Sequence, residues 1–142
     1  MIRPLLVAGI LALGVTAVLA DSAAIGQRKE ILKGFGAATR DPGRMLRGEA
    51  PFDLEKVQAT LKTIADGAAK LPSLFPDDSK EGDTKALPII WTEKDKFVAI
   101  YAKLGSDATA AMASIKDEAS FKAEIPKVFA NCGTCHQTYR AK

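Results

Sequence analysis

Hydrophobic positions along the chain recur at steps of three and four, the period of a helix face, and no stretch alternates as a half-buried strand would. From about Asp21 to Thr39, Ile25, Arg28, Leu32 and Phe35 share one face. Asp41-Pro42-Gly43 then breaks or kinks the helix, with Met45 and Leu46 in a further helical turn beyond. A second helix starts at Asp53, a good N-cap, with Phe52 placed to pack on Val57 as a hydrophobic staple. Leu54, Val57, Leu61, Ile64, Ala68 and Leu71 continue its stripe to Pro72. Residues 73–88 read as a loop rich in Pro, Asp and Gly. Thr92 with Asp95 resembles a capping box for a third helix carrying Phe97, Ile100 or Tyr101, Leu104, Ala108, Ala111 and Ile115. The fourth starts near Asp117 to Ser120, and its stripe is Phe121, Ile125, Val128, Cys132, Cys135 and Tyr139. Pro126 falls inside it and predicts a local kink or a missing backbone bond. Four amphipathic helices with short or medium connections predict an all-α fold, an antiparallel up-down four-helix bundle.

The N-terminus departs from this amphipathic pattern. Met1-Ile2-Arg3-Pro4 is a short positive start, and Leu5 to Ala20 is an uncharged run of 16 residues. A helix that crosses a bilayer needs ~20. Val18-Leu19-Ala20 supplies small or medium residues before Asp21, so residues 1–20 read as a cleavable signal peptide and 21–142 as the mature domain. A second cleavage point near Ala24 stays open, as does an uncleaved anchor. The expected location is the periplasm.

Composition narrows the function. The chain has 142 residues, 47% of them hydrophobic and 26% charged, which suits one folded domain. Its formal charge is +3, or +2 once Arg3 is removed, and the basic residues are scattered, so no nucleic-acid partner is expected. With one His and two Cys, a zinc site of four Cys and His ligands cannot be built. Asp77, Ser79, Glu81, Gly82 and Asp83 imitate the start of a calcium loop, but its twelfth position is Pro88, and a solvated acidic loop is the better reading.

The only His follows the only two Cys, as Cys132-Gly133-Thr134-Cys135-His136, the C-x-x-C-H attachment pattern of a c-type haem. Two thiols add across the vinyl groups as thioethers, and the imidazole that follows is offered to the iron. On a helix, Cys135 lies ~60° to one side of Cys132 and His136 ~40° to the other, so all three project toward one ring. A disulfide, a redox C-x-x-C and a partial metal site are the alternatives. A redox pair usually sits at a helix N-terminus, where the dipole lowers the thiol pKa, whereas this pair is near a C-terminal end.

The motif lies close to the end of the sequence, so every methionine is upstream of it. With four helices and the run from Cys132 to Arg140, the chain resembles cytochrome c′, the class II c-type cytochromes. The likeness extends to the Arg28 region, Lys33-Gly34-Phe35-Gly36, Gly48-Glu49-Ala50-Pro51-Phe52-Asp53 and Pro88-Ile89-Ile90-Trp91, while Pro126 departs from it. The resemblance implies one haem c, a b-type ring held by Cys132 and Cys135 within a left-handed bundle, with His136 as axial ligand. It implies that Arg140 stands beside that histidine and Arg28 contacts a haem propionate. It also implies a homodimer through the first two helices.

Two functions follow from that resemblance, and neither is an enzyme's: single-electron transfer with a redox protein partner, and binding of nitric oxide or carbon monoxide. A peroxidase would need distal acid–base groups, and there is no second histidine. In methionine-ligated relatives the sulfur lies four residues after the first-helix arginine. Here that position is Leu32, whose alkyl side chain cannot bind iron, so five-coordinate iron is expected.

Overall fold

The structure, a computed structural model, describes residues 13–142, with side chains from residue 23 onward. Residues 1–12 of the leader reading lie outside the described residues, and the cleavage point after Ala20 lies outside the described side chains. The described chain is helical: α1 (Leu13–Ala38), α2 (Arg40–Leu46), α3 (Leu54–Lys70), a 3₁₀ turn (Leu71–Leu74), α4 (Ile89–Thr92), α5 (Lys94–Ser114) and α6 (Glu118–Tyr139). The four long helices α1, α3, α5 and α6 form the bundle, as the periodicity predicts.

The stripes meet at its axis. Val57, Leu61, Ile64, Ala68, Phe97, Leu104, Ala108, Phe121, Ile125 and Val128 are all buried in one core. Burial of a large apolar side chain stabilises by about 1.5–3 kcal/mol, so this set supplies much of the driving force. The Phe52 ring packs on Phe121 of α6, with centroids 5.4 Å apart. Asp53 caps α3, its carboxylate accepting from the Lys56 N–H at 3.1 Å. Asp117 and Ser120 form a reciprocal capping box on α6.

Two local expectations are corrected. The first break comes at Thr39, ahead of Asp41-Pro42-Gly43. Pro42 is buried in the first turn of α2, where its missing N–H leaves no intrahelical bond unmade. Thr92 is no cap for the third helix, because it closes α4 and donates its hydroxyl to the Ile89 carbonyl. Pro126 lies inside α6 as read, and of the two outcomes expected there it takes the missing backbone bond, because the helix continues to Tyr139 with a single donor lost.

The long helices do not all touch equally. Extensive contacts join α1 to α3, α3 to α5 and α5 to α6, but not α1 to α6. At the α1–α3 crossing, Gly67 is buried, and a Cβ there would stand 2.4 Å from the Phe35 ring and 2.8 Å from Ile31. Gly67→Ala is therefore expected to cost about 1–3 kcal/mol through overpacking. Urea unfolding of the variant checks this, and an unchanged midpoint would contradict the close crossing. Thr60 secures the same crossing by donating to Ala38, the last carbonyl of α1, at 2.9 Å.

Candidate haem site

The gap between α1 and α6 is a cavity of about 600 Å³, within the range of small-molecule and cofactor sites. Leu32 and Phe35 of α1 face it from one side, Cys132, Cys135 and His136 of α6 from the other, and Phe97 and Tyr101 of α5 line it between them. The spacing of the motif thus puts two sulfurs and an imidazole on one wall.

Both cysteines are half-buried and unbridged. Burial raises both thiol pKa values, and Cys135 reaches about 11, with the neighbouring Cys132 adding a smaller push. Thiols kept protonated are the opposite of a reactive redox pair, and their place in the last turns of α6 explains why no dipole activates them. The Tyr101 phenol is raised too, first by burial and then by Cys135. His136 is exposed as a residue, yet partial desolvation of its ring lowers its pKa, and the Arg140 guanidinium lowers it further. The neutral imidazole, with a lone pair to give, is the form favoured.

Leu32 is 38% exposed, one of the few large apolar side chains left in contact with water, and it lies on the cavity wall. Two thiols, an adjacent neutral imidazole, aromatic walls and an uncovered leucine fit a flat, apolar, covalently attached ring carrying an iron. Among the described residues, no methionine and no second histidine line the cavity. Met45 is in the core and Met112 packs against it from α5.

Arg28 stands on the same cavity. It is 2% exposed and lines the cavity, but its guanidinium is bound to the loop before α4. It donates to the Leu74 carbonyl at 3.1 Å, the Ser79 hydroxyl at 2.8 Å, the Ser79 carbonyl at 3.0 Å and the Thr84 hydroxyl at 3.0 Å. The Phe75 ring lies against it, 4.4 Å from the guanidinium carbon to the centroid. This pairing is what permits burial of the charge. The loop end of the wall is held by a second device, an antiparallel bridge between Ala86 and Arg140. There the Leu87 N–H donates to the Tyr139 carbonyl at 3.0 Å and the Ala141 N–H to the Lys85 carbonyl at 2.8 Å.

Sequence reasoning missed these loop residues. Ser79 reads as part of a solvated acidic loop, yet it is fully buried under Arg28. A buried serine in such a run has no periodic signal. Tyr139, by contrast, is buried on the stripe as expected, and its hydroxyl donates to Glu93 at 3.3 Å.

Comparison with known proteins agrees with this geometry. The family model described as Cytochrome C′ matches residues 23–140. A cytochrome c′ of Rhodopseudomonas palustris is 53% identical over 137 residues, covering 96% of this chain and 94% of that one. A cytochrome c-556 of Agrobacterium fabrum is 39% identical over 83% of this chain and 81% of its own length. A solved structure of cytochrome c′ from Rhodopseudomonas palustris superposes with a TM-score of 0.82 at 56% identity, covering 84% of this chain and 96% of that chain. With the C-x-x-C-H wall, the α1–α6 gap and these likenesses together, the chain belongs to the cytochrome c′ family of c-type haem proteins.

Proposed function

We propose that the protein is an exported single-electron carrier of the periplasm whose iron takes one protein ligand. The observation that carries this reading is the single cavity wall of Cys132, Cys135 and His136, faced across the gap by Leu32 and Phe35. The group held there supplies one reversible electron when bound. Cys132 and Cys135 would anchor it through their sulfurs, and His136 would offer its lone pair to the metal. Phe35, Phe97 and Tyr101 exclude water from the interior side, which favours the less charged state of a bound redox centre. Arg28 keeps the loop wall closed through its bonds to Ser79 and Thr84.

Binding of nitric oxide or carbon monoxide is the second reading. It rests on a cavity lining that, among the described residues, holds no methionine and no second histidine, together with the apolar Leu32 wall. The two roles share the same site. A reductive titration of the holoprotein tests the first: one electron per chain, taken up and returned without loss of colour, is expected. Irreversible uptake, or a stoichiometry other than one, would defeat it.

Export is checked separately. The mature protein is expected in the periplasmic fraction with Asp21 as its first residue, by N-terminal sequencing. Recovery in washed membranes with Met1 retained would contradict this. Among the described residues no helix is long and apolar enough to cross a membrane. A homodimer through α1 and α3 is the assembly the family resemblance implies, and sedimentation at micromolar concentration reads it directly.

A further inference from the structure

The chain holds two tyrosines and one tryptophan, and all three stand in one aromatic cluster beside the cavity. Phe97 is its hub. The Tyr101, Tyr139 and Phe75 rings meet Phe97 edge to face, with centroids 5.1, 5.3 and 4.7 Å away. Trp91 lies 6.2 Å beyond Phe75. Phe75, Phe97, Tyr101 and Tyr139 line the cavity, so the aromatic side chains able to give up a single electron are gathered where the haem sits. A phenol that has lost an electron is a strong acid and sheds its proton. The partner of the hydroxyl therefore decides which ring is oxidised and restored most readily.

Tyr139 has such a partner. Its side chain is buried, and its hydroxyl donates to one oxygen of the Glu93 carboxylate at 3.3 Å, while Lys96 holds the other oxygen at 2.7 Å. The bond from Lys96 lowers the Glu93 pKa, so the carboxylate stays ionised and able to accept. The Glu93 side chain is 30% exposed, which lets a proton placed on it pass to water. Trp91 donates its indole N–H to the Pro76 carbonyl, an oxygen that does not take a proton at neutral pH. Of the three oxidisable rings, Tyr139 alone is bonded to a side-chain base among the described residues.

We propose that Tyr139, with Glu93 as its proton acceptor, is the exit for the oxidising equivalent left in the cavity when hydrogen peroxide reaches the haem. Hydrogen peroxide takes up two electrons and two protons and leaves as two waters. One electron comes from the bound group and one from Tyr139, whose phenolic proton passes to Glu93, leaving a neutral tyrosyl radical. A small one-electron donor such as ascorbate returns both electrons, and the two protons it releases balance those that peroxide consumed. With no second histidine to assist peroxide cleavage, the reaction is slow and its value is protective. Oxidation leaves by Tyr139 and does not destroy the ring. The inference goes beyond the carrier role and needs only a haem that peroxide can reach.

The test mixes the ferric holoprotein with hydrogen peroxide, freezes it and reads electron paramagnetic resonance, with haem bleaching followed in parallel. A tyrosyl radical signal is expected in the wild type and in Tyr101→Phe. Its loss is expected in Tyr139→Phe, which keeps the ring against Phe97. Glu93→Gln keeps the shape of the acceptor and removes the base, and the Glu93 side chain makes no cap bond to α5 that would be lost. That variant is expected to form the signal about a hundredfold more slowly, the low end of what a positioned base contributes. Lys96→Gln removes the exposed partner and spares the carboxylate, so it should keep the wild-type signal. Tyr139→Phe and Glu93→Gln should both bleach faster than the wild type. A tyrosyl signal that survives Tyr139→Phe, or that Tyr101→Phe abolishes, would overturn the assignment. So would an indole radical that Trp91→Phe removes, or a haem spectrum that peroxide leaves unchanged. None of these outcomes bears on the reductive titration, which tests the carrier reading by itself.

Discussion

Replacing Cys132 and Cys135 together by serine is expected to turn a pigment that stays with the polypeptide in acid-acetone into one that extracts completely. The thioethers are the only covalent links the site can make, since Cys132 and Cys135 are the only cysteines and both lie on the cavity wall. Without them the ring would be held by His136 and by burial against Phe35, Phe97 and Tyr101. That is a reversible association, so its contribution to folding becomes dependent on haem concentration. The double variant is also expected to lose stability when haem is scarce. An empty cavity of about 600 Å³ leaves Leu32 in contact with water. Each single serine variant should keep one thioether and remain coloured after extraction. Mass spectrometry of wild type, singles and double reads the outcome as added haem mass. Covalent haem in the double variant would contradict the attachment site.

Much of this was legible because the relevant signals are local. The stripe from Val57 to Leu71 and that from Phe97 to Ile115 repeat with the helical period, and both are buried as read. Cys132, Cys135 and His136 are contiguous on one helix, so their common direction follows from 100° per residue alone. Arg28 shows the limit. Its place on the buried face of α1 was readable, but its partners lie 46 to 56 residues away in a loop without period. The same holds for the Ala86–Arg140 bridge, which joins two irregular segments by backbone atoms that carry no sequence signature. Thr92 failed for a related reason. Thr92 ends a short α4, and its hydroxyl turns back to Ile89 instead of forward to α5.

The second large effect concerns Leu32. Its side chain lies on the cavity wall across from His136, so it meets any small ligand that approaches the iron from that side. Leu32→Ala is expected to raise carbon monoxide association about tenfold, the equivalent of about 1.4 kcal/mol less barrier. The residue is already 38% exposed, and shortening it should cost little stability, since it gives up less buried area than a core leucine. Leu32→Met places a thioether at the same position, and a His–Met pair gives a six-coordinate, low-spin iron with a raised potential. Stopped-flow carbon monoxide binding reads the first variant and the visible spectrum reads the second. Unchanged association in Leu32→Ala, with Leu32→Met still high-spin, would remove Leu32 from the ligand path.

The central claim is that the iron takes one ligand from the protein, His136. The ferrous wild type, recorded in the visible range at neutral pH with and without carbon monoxide, tests it most directly. A high-spin spectrum that converts on adding carbon monoxide is the predicted result. A low-spin ferrous spectrum with a methionine–iron band in the ferric form, inert to carbon monoxide, would contradict it.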